Sequence, residues 1–151
     1  MTSKVHLLCE PGCRPLALVL SAGQVHDSRM LEAVLDGVRV PRLGRGRPRK
    51  RPEQTLGDKG YSYARCRTSL RQRGIAAVIP ERKDERERRK RKGTAGGRPR
   101  RFDREAYRGR NVVERTILRL KQWRRVATRY DKLGTAYLAW GTLASLLLWL
   151  N

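Results

Sequence analysis

Between Gln54 and Pro80 the chain holds two short apolar runs with one helical stretch between them, and few folds accept that order. Gln54-Thr55-Leu56 reads as a strand ending at Asp58. A helix follows from about Tyr61 to Arg73, with Cys66 and Leu70 turned inward. Gly74 fits its stop, since glycine tolerates the left-handed cap conformation. Ile75-Ala76-Ala77-Val78-Ile79 is then a buried strand bounded by Pro80. Strand, helix and strand within this length predict a parallel βαβ unit. That unit sets Asp58 at the carboxyl end of a strand, where open α/β sheets generally keep their sites. Taken by itself, Asp58 reads as a cap for the helix that follows.

The N-terminal third supplies a partner for such a unit. Residues 4–9 and 15–20 read as two strands around a Glu10-Pro11-Gly12 turn, an antiparallel hairpin. The second run is almost wholly apolar, which predicts burial on both faces. A helix is expected from Asp27-Ser28 to about Gly37, capped by one of those two residues and burying Met30, Leu31 and Val34. At the other end, Thr135 to Leu150 is almost entirely apolar. Sixteen residues fall short of the roughly 20 that a bilayer needs, so a buried terminal helix is expected and no membrane partner.

Charge dominates the remainder. The chain carries 36 Lys and Arg against 14 Asp and Glu, a net charge of +22 over 151 residues. Such a field repels itself and favours a polyanionic partner. Arginine far outnumbers lysine, and the guanidinium fork matches phosphate oxygens bidentately, so nucleic acid is the expected partner. Two segments concentrate the charge. Residues 41–52 form a Pro/Gly/Arg loop whose Arg45-Gly46-Arg47-Pro48 looks like an AT-hook, an element that enters the narrow, electronegative minor groove of A·T-rich DNA; a solvated loop touching phosphates is the plainer reading. Residues 81–101 read as a basic, flexible insertion, with a short solvated helix over 81–89 and ordering of the rest on DNA. Cys9, Cys13 and Cys66 lack metal-ligand spacing and read as free thiols of a reducing cytoplasm.

The segment from Tyr107 to Lys121 carries the densest arrangement of chemistry. Read as one helix, it places Tyr107, Arg110, Glu114 and Lys121 on a single stripe, since offsets of four and seven residues rotate by only about 20° to 40°. Val113, Ile117 and Leu120 run alongside as an anchoring face. One acid among cations and a phenol suits a site holding a metal ion against a phosphodiester. An ordinary surface helix with Glu–Arg pairs gives the same spacing.

These four positions match the Y-(2)-R-(3)-E-(6)-K motif, and the chain resembles the DDE transposases of bacterial insertion sequences that carry it. The flanks Arg110-Asn111-Val112-Val113-Glu114-Arg115 and Arg119-Leu120-Lys121-Gln122-Trp123-Arg124 look like the branch that includes insertion sequence five. Leu56-Gly57-Asp58-Lys59-Gly60-Tyr61 is similar to that branch's (A/G)DKGY element around its second catalytic aspartate. The likeness extends from about Lys4 to Leu150.

The resemblance implies an α/β fold, a ribonuclease-H-like mixed sheet with flanking helices. It also implies a triad of carboxylates holding two Mg²⁺ or Mn²⁺ ions, hard cations that take oxygen ligands. One ion would activate the attacking water or 3′-hydroxyl and the other would steady the leaving oxygen. By position Asp58 is the second acid and Glu114 the third. Lys121 and Arg110 would contact DNA phosphate with Tyr107 in support, and Arg45, Arg47, Arg98 and Arg100 are further expected DNA contacts. The family's first aspartate lies on a strand just upstream of the region matching Thr2-Ser3-Lys4-Val5-His6. None of Glu10, Asp27 or Asp36 has the flanks to replace it. The expectation is therefore a single, partial catalytic domain over residues 1–151, lacking its first central strand. Such a sheet exposes strand edges and invites complementation. A portion that binds insertion-sequence ends and target DNA for metal-dependent strand cleavage and transfer fits this reading, with itself or an upstream reading-frame product as partner in the bacterial cytoplasm at the nucleoid. An inactive DNA-binding or regulatory fragment fits as well.

Overall fold

The computed structural model describes residues 2–150. Strands β1 (Ser3–Cys9) and β2 (Pro15–Ala22) form the expected antiparallel hairpin, with Leu7 opposite Leu18 and Leu8 opposite Ala17. The turn between them closes through Glu10 N–H to Arg14 O and Cys13 N–H to Glu10 O. Its left-handed residue is Cys13 (φ 62°) rather than Gly12, an uncommon place for a side chain. A run of half-buried residues replaces the expected full burial of β2, because one of its edges and parts of both faces are only partly covered.

Helix α1 (Asp27–Asp36) buries Leu31, Val34 and Leu35. Its cap is His26, not Asp27 or Ser28: the His26 Nδ1 accepts the Ser28 N–H at 3.2 Å. Asp27 is thereby the first helical residue, and its carboxylate pairs with Lys4 at 3.1 Å. Residues 41–52 form the expected loop, clasped by reciprocal hydrogen bonds of 2.9 and 2.8 Å between Val40 and Arg49.

The βαβ unit folds as predicted. Strand β3 (Gln54–Leu56) pairs in parallel with β4 (Ala76–Val78), and a 3₁₀ turn (Lys59–Tyr61) and helix α2 (Ala64–Gln72) connect them. Gly74 takes the left-handed conformation (φ 66°) that ends α2. Helix α3 (Lys83–Arg91) is the short solvated helix expected over 81–89, displaced by two residues. It buries nothing. Asp84 and Glu85 in its first turn and four cations in its last complement the helix dipole, and Arg89 reaches back to Glu81 at 3.0 Å. This hydrogen bond holds the Glu81 carboxyl below its usual range.

Helices α4 (Arg104–Arg108), α5 (Asn111–Leu120), α6 (Arg124–Ala127) and α7 (Gly134–Leu150) complete the fold. The single helix expected from Tyr107 to Lys121 is broken. Gly109 and Arg110 form a tight junction in which Arg110 N–H bonds to Tyr107 O and Val113 N–H to Arg110 O, both at three-residue spacing. Helix α7 buries only the Gly141, Ala144 and Leu148 side and exposes Leu143, Leu146 and Leu150. No helix is long and apolar enough to cross a membrane among the described residues.

Two cores flank the hairpin. Leu8 packs on a cluster of Leu31, Leu35, Cys66, Leu70, Ile75 and Ile79, which joins α1 to the βαβ unit. Leu7 and Leu18, on the opposite face, pack on Leu120, Ala144 and Leu148. Strand alternation dictates this division, since neighbours in a strand point to opposite faces. The result is mixed α/β layering, but the strands stand as two separate pairs rather than one sheet.

Candidate functional site

Asp58 follows β3 directly and caps the 3₁₀ turn, its Oδ1 accepting the Gly60 N–H at 2.8 Å. The capping role that residue type alone suggests is therefore present. The carboxylate also borders a cavity of about 340 Å³, shared with Asp27, Lys4, His6, Tyr61 and Arg110. Tyr61 is half-buried there. Burial, then the negative charges of Asp27 and Asp58, push its phenol up to about 12. His6 is buried, with Nε2 2.8 Å from Ser21 Oγ, and desolvation lowers its pKa.

Glu114 sits near the start of α5, exposed, and its Oε1 accepts from Arg110 Nη2 at 2.6 Å. The same guanidinium lies 5.9 Å from the centre of the Tyr107 ring, which also packs against Phe102. Tyr107, Arg110 and Glu114 are thus brought together despite the break at Gly109. Arg110 is the link: it pairs with Glu114 and borders the cavity that Asp58 lines. Glu114 itself does not border that cavity; the α5 residues that do are Arg110, Val113 and Ile117.

Other expected contacts fall elsewhere. Lys121 caps the end of α5 and borders a smaller cavity under the hairpin with Val5, Leu7 and Tyr137. Arg45 and Arg47 stand exposed on the 41–52 loop, either side of Gly46, whose φ of 143° suits glycine. Arg98 is exposed, and Arg100 pairs with Glu85 at 3.7 Å. Sequence reasoning missed Asp27 as a member of the Asp58 cavity. Its position after a helix-opening histidine hid that role, and only the packing of α1 on β1, which brings Lys4 to Asp27, reveals it.

A family model of the transposase DDE domain matches residues 1–149. The chain belongs to that family. It is similar to a putative transposase for insertion sequence element IS402 from Burkholderia cepacia, at 33% identity over 151 residues. That match takes in 93% of this chain and 64% of the relative, so the chain spans just under two thirds of the relative's length. No solved structure matches it.

Transposase DDE domains generally use divalent metal ions. Carboxylate oxygens are the right chemistry for a hard cation. The described residues of this DDE domain nevertheless gather no group of three or more possible ligands, and one Glu114 oxygen is already held by Arg110. Asp58 and Glu114 do not form a complete cage as they stand.

Proposed function

We propose that this chain is the catalytic portion of an insertion-sequence transposase, binding DNA and contributing Asp58 and Glu114 to metal-dependent strand cleavage and transfer. The observation that carries the reading is the DDE-domain match over residues 1–149 together with Asp58 at the carboxyl end of a parallel strand, opening into a cavity that Arg110 also borders. Magnesium or manganese is the ion we assign, with further ligands needed beyond these two acids. A ribonuclease-H-like sheet is the fold we assign to the complete catalytic unit, because the parallel β3–β4 pair and the hairpin have the element order such a sheet requires. Arg110 and Lys121 contact phosphate, Tyr107 supports Arg110, and Arg45, Arg47, Arg98 and Arg100 add sequence-independent affinity through counterion release.

One observation favours a second reading. Glu114 is neutralised by Arg110, and no three-ligand cluster exists among the described residues, which suits a DNA-binding or regulatory fragment without cleavage activity. A nicking assay on donor DNA with Mg²⁺ or Mn²⁺ separates the two. Cleavage that is lost on Asp58→Asn and on Glu114→Gln supports the catalytic reading. DNA binding without cleavage, unchanged by either substitution, supports the fragment reading.

A further inference from the structure

Helix α3 adds no side chain to either core, yet largely buried polar groups fix it to the rest of the fold. Ser62 is fully buried, and its hydroxyl donates to Glu85 Oε2 at 2.5 Å. The Glu85 side chain is only 10% exposed and also faces Arg100 Nη1 at 3.7 Å. Arg67 closes the network from α2: its Nε donates to Ser62 O at 3.2 Å and its Nη2 to Ile79 O at 2.7 Å. Arg89, one turn beyond Glu85, is tied to Glu81 at 3.0 Å and is likewise mostly buried. Ser62 also ends the 3₁₀ turn that Asp58 begins, its N–H bonding to Lys59 O at 3.1 Å. The Asp58 cap and the Glu85 contact therefore grip opposite ends of one short turn.

Burying charged groups costs desolvation free energy that pairing does little more than offset, so such a network sets an orientation at small net gain in stability. A nine-residue helix with no apolar anchor is marginal in water, and the tether is what keeps this one formed and aimed. Its other sides carry the charge. Arg86, Lys90 and Arg91 are exposed, stand about 100° or more around the helix from Glu85, and have no ion-pair partner among the described residues. No residue of Lys83–Arg91 is apolar, which argues against a lipid surface, since that selects a half-apolar helix.

We propose that α3 is a docking helix for duplex DNA, in which Arg86, Lys90 and Arg91 take backbone phosphates and the Glu85–Ser62 hydrogen bond registers that row against the turn begun by Asp58. The assignment rests on the DNA reading above and adds to it a surface and a positioning residue, Glu85. Cations held on a formed helix meet phosphate without the entropic cost of ordering the segment at that moment. Phosphate contacts of this kind fix register and orientation on a duplex and carry no sequence information. A helix tied to the Asp58 turn is therefore placed to set where the duplex lies relative to that carboxylate.

The test is equilibrium binding of the full chain to a fluorescein-labelled DNA duplex, followed by anisotropy across a KCl series without divalent metal. Arg86→Gln, Lys90→Gln and Arg91→Gln together should reduce the slope of log affinity against log salt by about three. The deciding comparison is between two acids of the same helix. Glu85→Ala and Glu87→Ala each remove one negative charge, so long-range electrostatics alone predicts tighter binding from both. Glu87 is 56% exposed and outside the network, and its loss should tighten binding. Loss of Glu85 should instead weaken binding by roughly threefold or more at unchanged slope, because the same cations must then be ordered on binding. Ser62→Ala, which changes no charge, should do the same, and Glu85→Gln, which keeps an acceptor for Ser62, should restore the affinity. Hydrogen exchange in Lys83–Arg91 should quicken in Glu85→Ala and Ser62→Ala, and slow in the unaltered chain when DNA is added. Tighter binding by Glu85→Ala, or a salt slope indifferent to the three cation substitutions, would overturn the proposal and leave the DNA reading standing. An unaltered chain that does not bind the duplex would overturn both.

Discussion

Arg110 donates to Glu114 at 2.6 Å while bordering the cavity that Asp58 opens into. One residue therefore connects the two acids proposed above as metal ligands: its guanidinium holds Glu114, and it lines the same cavity as Asp58. Removing it should unmask Glu114 at little structural cost, because the pair is partly exposed and such pairs contribute about 0–1 kcal/mol. Arg110→Gln is expected to leave the unfolding midpoint nearly unchanged. It should lower DNA affinity and reduce the slope of log affinity against log salt by about one contact, measured by fluorescence anisotropy.

Asp58 has a structural role that can be separated from its chemical one. Its Oδ1 caps the turn at Gly60, and replacing a capping aspartate by alanine costs about 1 kcal/mol. Asp58→Ala should lower stability by about that amount in urea unfolding, whereas Asp58→Asn, which keeps a capping oxygen, should not. Any metal-dependent cleavage should be lost equally in both.

The basic loop should matter to binding and not to folding. Arg45 and Arg47 are exposed and take part in no ion pair among the described residues. The double substitution Arg45→Ala, Arg47→Ala is expected to leave thermal unfolding unchanged and to reduce the salt slope of DNA binding by about two. If the loop enters the minor groove, the loss will be larger on A·T-rich than on G·C-rich duplexes.

Acid should weaken the fold through His6. Its folded pKa lies below 6.5 because burial disfavours the charged ring, so the unfolded chain takes up the proton first as pH falls. The stability His6 contributes is complete above the unfolded pKa and disappears as pH drops through the folded one. His6→Gln should flatten that part of the stability profile, measured by denaturant unfolding between pH 7 and pH 4.

Leu70 is fully buried at the centre of the α1–βαβ core. Leu70→Ala should cost about 2–5 kcal/mol, the usual range for such a cavity. A loss below about 1 kcal/mol by chemical denaturation would mean that this core is loosely packed.

What could be read from residues alone was whatever rests on contiguous apolar pattern. The hairpin, the βαβ unit with Gly74 at its turn, and the terminal helix each announce themselves in a run of neighbours. The features that escaped depend on distant groups or on small backbone adjustments. Glycine at 109 permits a tight junction that splits one expected helix in two, yet Tyr107, Arg110 and Glu114 stay together because the backbone remains right-handed through it. His26 displaces Asp27 as cap because its ring nitrogen reaches Ser28, and Lys4 on a neighbouring strand then claims the aspartate. Helix α3, by contrast, was legible from the mixed charges of residues 81–89, which match its ends, although hydrophobic periodicity offers no signal there. The fold-placing acid Asp58 was legible from its strand. Its neighbour in the cavity, Asp27, was not.

Trp149 donates its indole N–H to the carbonyl of Pro15 at 2.7 Å, across 134 positions of sequence. A ribosome making this protein exposes the hairpin long before the helix that covers one side of it has emerged. During that interval Leu7 and Leu18 have no lid, and the nascent chain is at its stickiest. Slower translation over the codons of α7, or a shortage of chaperone, would therefore be felt as lost yield of folded chain rather than as altered chemistry in the molecules that fold.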